Sequence, residues 1–337
     1  MRRRFINKVQ NATFNDYMFI EALYDNTHIQ IYGCSPTLMY KVGSDNWQTV
    51  GNDYLNYTLQ YTGQKIFFKD VKAVTPFGVG NFNANVGFKV GGDFRSLFLG
   101  DKVKENSPLI PSCFDSMFYN SNLTDFYENI LYYPKLAEGC YSYMFQGCSK
   151  LTTAPELPAT TLADLCYAGM FQNCSNLTSA PQLPATALAD GCYCYMFQDC
   201  TSLTTVPELL PATTLVEYCY SYMFNNCSSL TTAPELPATT LIDGCYSHMF
   251  NNCAKLTTAP ELPATTLAEW CYVGMFSYCN KLNYIKMLAT DISARDCLYD
   301  WVENVSPTGT FVKNPNLTSL PTGTDGIPEG WTVISNV

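Results

Sequence analysis

Leu162, Cys166, Met170 and Cys174 stand four residues apart, and Phe171 widens the third position. An apolar stripe at that spacing is one face of an amphipathic helix. The stripe returns at Leu188, Cys192, Met196 and Cys200. Thr161 precedes it and Asp164 follows three residues later, a capping box in which hydroxyl and carboxylate satisfy the free amides of a helix start. The same pair recurs as Thr214 with Glu217, Thr240 with Asp243 and Thr266 with Glu269, while Ala187 takes the cap position in one copy. Upstream, Leu-Thr-Thr-Ala-Pro reads as a very short strand with Leu151 and Thr153 on one face. Pro155 and Pro158 limit further pairing, because proline donates no amide to a ladder. The pattern predicts a unit of strand, proline turn, capped helix and turn.

That unit is repeated. Met-Phe pairs begin at Met117, Met144, Met170, Met196, Met223, Met249 and Met275, at steps of 27, 26, 26, 27, 26 and 26. The second excess residue is the doubled leucine Leu209-Leu210. LTTAPELPATTL occurs identically from Leu151, Leu230 and Leu256. A period near 26 signals a solenoid, in which a single unit cannot cover its own apolar face and neighbours stack upon it. The end units are degenerate, as caps should be. Phe94, Leu97 and Phe98 form an entry rung, Ser121 replaces a cysteine, and Trp301 with Val302 replaces the last Met-Phe.

Before the repeats the period changes to two. Thr27-His-Ile-Gln-Ile-Tyr32 and Tyr57-Thr-Leu-Gln-Tyr61 alternate as half-buried strands. Gly43-Ser-Asp-Asn46 reads as the loop of a hairpin. The fold class expected is α+β: an N-terminal β-sandwich-like domain (1–105), a leucine-rich-repeat solenoid of about 26 residues per repeat (106–302), and a short β-type C-terminal cap (303–337).

Composition narrows the chemistry. Apolar residues make up 47% and charged residues 14%, which excludes disorder. A net charge of −10 argues against nucleic acid as a partner. Arg2, Arg3 and Arg4 form the one basic run, read as a solvated start, and no apolar run reaches the length of a membrane span. The first sixteen residues lack the apolar stretch of a secretory signal. The sixteen cysteines are expected as buried thiols, those of the repeats filling the repeat interior. Bridges between neighbouring repeats and a metal site are the alternatives; CxxC pairs are absent and the histidines are only His28 and His248. His28 reads as structural. The repeated carboxylates are accounted for as helix caps, so neither a catalytic constellation nor a cofactor site is expected.

Candidate binding residues lie where the repeat varies. Tyr141, Tyr167, Tyr193, Tyr220, Tyr246 and Tyr272 hold one position and are expected as half-buried packing. Two residues on, the position reads Tyr143, Gly169, Tyr195, Tyr222, His248 and Gly274. Tyr143, Tyr195, Tyr222 and His248 are candidates for contact with a sugar or protein, plain exposure to solvent being the alternative. Glu156, Glu208, Glu235 and Glu261 form a second column suited to a cation or a basic partner, or to a solvated edge.

The unit CYxxMFxxCxxLTTAPELP resembles the BspA-like, or Treponema-type, leucine-rich repeat with its AFxxCxxL core, which Met-Phe-Gln-Asn-Cys174-Ser-Asn-Leu177 matches with Met for Ala. The segments DYMFIEALYDNTHIQIYG, LMYKVGSDNWQTV and YTLQYTGQKIFFKD resemble the small β-domain preceding such repeats in proteins of gut bacteria and their phages. The resemblance implies a non-enzymatic interaction protein. The reading it favours is a phage tail or head appendage at the virion surface, held to other virion proteins through the N-terminal domain. Its repeats would then contact a host surface glycan or protein, in a symmetric homo-oligomer. A bacterial cell-surface adhesin is the alternative and a glycan-active enzyme a distant third.

Overall fold

The computed structural model describes residues 17–70, 79–104, 107–128, 130–133 and 135–335. The arginine run of the first residues lies outside these. Eight strands open the chain: β1 (Met18–Ala22), β2 (Thr27–Tyr32), β3 (Met39–Val42), β4 (Gln48–Thr49), β5 (Tyr54–Leu59), β6 (Lys65–Lys69), β7 (Asn81–Ala84) and β8 (Phe88–Gly91). The alternation expected in β2 is present, with Thr27, Ile29 and Ile31 buried between more exposed neighbours. The hairpin around residues 43–46 also forms, pairing Met39 with Thr49 and Tyr40 with Gln48. His28 sits in β2 with Nδ1 2.9 Å from the Thr58 hydroxyl.

β5, β2 and β7 make a three-stranded sheet. The larger sheet runs β4-β3-β6-β1-β8-β9, where β9 (Leu123–Phe126) comes from the first repeat and lies parallel to β8. Apolar sides of both sheets enter one core, and Phe68 of β6 meets Phe82 of β7 edge-on at 5.4 Å. That core passes without a break into the repeats, for Phe82, Phe88 and Phe94 all contact the ring of Phe118. Phe94, Leu97 and Phe98 are buried at α1 (Ser96–Leu99) and a following 3-10 turn (Gly100–Lys102).

The repeats overturn the expected helices and with them the α+β class. Among the described residues α1 is the sole α-helix; the protein is sheet-rich with little helix. The segment expected as a helix is instead a ladder of β-turns. Within one repeat, Ser142, Met144, Gln146 and Cys148 donate their amides three residues back, to Gly139, Tyr141, Tyr143 and Phe145. The alternate amides of Gly139, Tyr141, Tyr143, Phe145 and Gly147 donate to the next repeat, at the carbonyls of Asp164, Cys166, Ala168, Met170 and Gln172. Every amide is used, half inside the repeat and half between repeats, so the ladder satisfies its backbone only when a neighbour is present. The capping box is likewise absent. Thr161 bridges Lys135 and Ala187, and Thr214 bridges Thr240, through backbone pairing in parallel.

Leu-Thr-Thr forms single bridges, Thr153 to Ser179 and Ser179 to Thr205, in place of strands. Proline explains this: the repeats that carry Pro155, Pro181 or Pro207 have no amide there to extend the pairing. Full strands form only where that proline is missing, at β9 and at β10 (Tyr284–Met287). β10 pairs in parallel with β11 (Thr310–Lys313), and β11 with β12 (Thr332–Ser335), giving the C-terminal strands expected.

The interior is built of columns. Phe118, Phe145, Phe171, Phe197, Phe224, Phe250 and Phe276 stack ring upon ring at 5.5–5.8 Å. The six tyrosines from Tyr141 to Tyr272 form a second stack, closed by Trp301. These tyrosines are fully buried, not half-buried, because the repeat beyond each one covers its ring. All sixteen cysteines are free and buried.

Candidate interaction surface

Left-handed backbone recurs at every fourth residue of each turn ladder, as at Gly139, Tyr143 and Gly147, then Leu165, Gly169 and Asn173. In the turn from Tyr141 to Met144 the third residue is Tyr143, at φ 53°, where a type II turn requires positive φ. This places Tyr143, Gly169, Tyr195, Tyr222, His248 and Gly274 in one outward column, the aromatic members half-buried.

Each side chain in this column leans over the next repeat. A β-carbon on Gly169 would lie 2.2 Å from the Tyr143 ring, and one on Gly274 would lie 2.6 Å from the His248 ring. Where the next residue is not glycine the rings stack: Tyr195 on Tyr222 at 5.0 Å, and Tyr222 on His248 at 4.4 Å with planes 4° apart. Tyr195, Tyr222 and His248 are thus one continuous stack, while Tyr143 stands apart, separated by Gly169. The glycines in this column have a packing cause as well as a backbone one, since they leave room for the preceding ring.

Burial sets the charge of the stripe. It pushes the Tyr143, Tyr195 and Tyr222 phenols above their ordinary range and the His248 imidazole below its own. His248 Nδ1 lies 2.9 Å from the Ser247 hydroxyl. The stripe is therefore neutral around pH 7, an apolar surface with hydroxyls at its edge.

Glu156, Glu208, Glu235 and Glu261 sit elsewhere, on the proline loops, and all four are exposed. Glu261 ends its column in an ion pair with Lys286 of β10 at 2.9 Å. Among the described residues no group of His, Cys, Asp or Glu is arranged to hold a metal ion, and no helix is long and apolar enough to cross a membrane.

Sequence reasoning missed a second outward column, four residues earlier in the ladder: Leu165, Gly191, Tyr218, Gly244 and Trp270, all at positive φ. Its signal was the recurrence, in each repeat, of Gly, Asn or Asp at one or more of three positions spaced by four, a pattern that a helix would not favour.

Residues 193–297 match the BspA type leucine rich repeat region, in six copies. Regions of this type serve protein interaction and adhesion, generally without catalysis, and their proteins are typically exposed at bacterial surfaces. No curated protein and no solved structure matches the chain. The hydrogen-bond register of the matched segment continues back to Cys113 through unbroken columns of Phe and Tyr. Residues 193–297 are thus repeats of the BspA type.

Proposed function

We propose that the protein is a non-enzymatic surface component whose repeats form a leucine-rich-repeat solenoid and meet a partner through their outward columns. The observation that carries this is the half-buried stack of Tyr195, Tyr222 and His248, a neutral aromatic strip held at fixed spacing by the buried columns beneath it. Flat rings edged by hydroxyls suit sugars and protein surfaces alike. The resemblance of the first hundred residues to the β-domain of gut bacterial and phage proteins favours a virion appendage contacting the host surface. In that reading residues 1–105 hold the protein to other virion proteins, and the pairing of β8 with β9 ties the mount to the first repeat. A cell-surface adhesin is the second reading, favoured by the surface display typical of this repeat type.

Two measurements test the proposal. Mass spectrometry of purified phage particles beside cell envelopes should find the chain in the particles; finding it in envelopes alone selects the adhesin. Glycan-array screening of wild type beside a Tyr143→Gly, Tyr195→Gly, Tyr222→Gly triple variant should show the signal lost in the variant. Glycine suits the left-handed backbone, so the ladder is kept. Equal signals would remove this stripe from the binding surface.

A further inference from the structure

The parallel sheet of β10, β11 and β12 ends at β12. Ile285, Phe311 and Val333 stand in one register row of that sheet, and Lys286, Val312 and Ile334 in the next. Ile285 and Phe311 are wholly buried, but Val333, the last member of the inward row, is 43% exposed, as is Ile334 on the other face. All four residues of β12 are exposed, and none is charged or proline. Natural edge strands are commonly blunted by charge, proline or cover; β12 has neither charge nor proline. The Thr332 amide donates to the Gly309 carbonyl at 2.8 Å, so Thr332 faces β11. Val333, one residue on, therefore turns its own amide and carbonyl outward.

The opposite end of the repeats is sealed. β8 lies parallel on β9. On the turn side, the Phe82 amide donates to the Met117 carbonyl at 2.7 Å, and Asn81 Nδ2 donates to the carbonyls of Ser116 and Tyr119 at 3.3 and 3.0 Å. The first repeat of one copy therefore cannot stack on the last repeat of another, which excludes head-to-tail growth. At the C-terminal end a short segment covers the turn side as well. Trp301 Nε1 donates to the Gly326 carbonyl at 2.9 Å, the Val302 amide to the Thr324 carbonyl at 3.2 Å, and the Asp300 amide to the Asp325 carboxylate at 2.7 Å. The strand side is what stays open. A strand edge is complementary to itself, since the amide and carbonyl of an outward residue are answered by the carbonyl and amide of an antiparallel copy.

We infer that two copies of the chain pair β12 against β12, antiparallel about a two-fold axis at Val333, to form an end-to-end dimer. The two Val333 residues exchange both of their amide–carbonyl bonds. The axis stands perpendicular to the sheet, so the inward faces of both copies lie on the same side. The buried row of Ile285, Phe311 and Val333 then runs on into Val333, Phe311 and Ile285 of the second copy, and the exposed valine is covered. On the other face Ile334 meets the second copy's Thr332, one β-branched side chain against another. A register centred on Ile334 would set Val333 against Ser335 and end the apolar row on a hydroxyl, so the inward row selects Val333. The interface is isologous and closes at two copies. This goes beyond the proposed surface role, because its partner is the chain itself.

Sedimentation equilibrium of the full chain over a wide range of concentration tests it, at high salt so that the net charge of −10 on each copy is screened. A monomer–dimer equilibrium is expected. Val333→Lys sets two like charges face to face at the joint and should weaken association about tenfold or more. Val333 is exposed in the single copy, so this variant should keep the urea midpoint of the wild-type monomer. Gln48→Lys, on the exposed edge strand β4, should leave association unchanged. Under mild oxidation Val333→Cys should give a disulfide-linked dimer, since the Cα atoms of a hydrogen-bonded antiparallel pair stand about 5.5 Å apart. The sixteen native thiols are buried, and Ile334→Cys, off the axis on both copies, should not link. A monomer at every concentration, masses that keep growing past the dimer, or wild-type association in Val333→Lys would overturn the inference. So would linking of Ile334→Cys in place of Val333→Cys. None of these outcomes touches Tyr143, Tyr195 or Tyr222, so failure here is separable from failure of the glycan screen.

Discussion

At the scale of single residues, the second cysteine of each repeat is more than a small apolar filler. The Sγ of Cys148, Cys174, Cys200, Cys227, Cys253 and Cys279 each donates to the carbonyl of the preceding repeat's phenylalanine at 3.0–3.2 Å. Burial also pushes the Cys148 thiol up to about 12, so it stays protonated and able to donate. Serine keeps the donor and loses volume; alanine loses both, and the bond contributes about 1 kcal/mol. Cys200→Ser should therefore unfold at a higher urea concentration than Cys200→Ala, and the reverse order would mean that the thiol acts as a hydrophobe alone. His248 gives a prediction in pH. Burial between Tyr222 and Gly274 holds its pKa below the ordinary 6.5. Between those two values the unfolded chain binds more protons than the folded one, so stability rises with pH. The contribution is complete above about pH 6.5 and is lost as pH falls through the depressed value. His248→Asn removes the titration, and asparagine tolerates the left-handed backbone. From pH 7.5 to 5 the urea midpoint of wild type should fall further than that of the variant; parallel curves would refute the assignment.

At the scale of the element, the stripe of apolar side chains at steps of four admitted two readings. A helix has 3.6 residues per turn and drifts to i+3 contacts, whereas the turn ladder repeats at four without drift. Cys166, Met170 and Cys174 fit both, so burial was legible while backbone was not. The distinction lay in the residues between them: Gly139, Gly147, Gly169 and Asn173 suit left-handed positions and weaken a helix. Thr161 was misread for a related reason, because Thr followed three residues later by Asp serves a helix start and a parallel bridge equally. The strands of residues 17–70 were legible because alternation at period two has no such competitor. The stripe of Tyr143, Tyr195, Tyr222 and His248 was found by its variability, but the column of Leu165, Tyr218 and Trp270 was hidden by the assumed helix. A prediction separates the two backbones. Removing a helix-capping threonine typically costs about 1 kcal/mol, but Thr161 pairs through its backbone and is exposed. Thr161→Ala should shift the urea midpoint by an amount corresponding to less than about 0.5 kcal/mol, and far-ultraviolet circular dichroism should lack the helical double minimum. A full capping penalty would restore the helix reading.

At the scale of the whole molecule, stability rests on register between repeats. Half of the turn-ladder amides and every ring stack join one repeat to the next, so each repeat's contribution is mostly its interfaces. The register tolerates a local insertion: at the doubled leucine, Leu209 is 40% exposed while Leu210 is buried, so the extra residue is put outside and the columns run on. Loops on one face can therefore vary in length, whereas the turn ladder cannot. Deleting residues 167–192 joins Cys166 to Tyr193, and Tyr193 still finds the Cys219 carbonyl it uses now at 3.1 Å. One interface and one repeat are lost, and the columns re-form without a step. Deleting residues 167–179 removes half a repeat and sets Ala180 against the tyrosine column, so that neither rings nor amides find their partners. The full-repeat deletion should unfold cooperatively with a Tm lower by about 5 °C, and the half-repeat deletion should show no cooperative transition. Equal stability of the two would mean that the repeats do not fold through their mutual register.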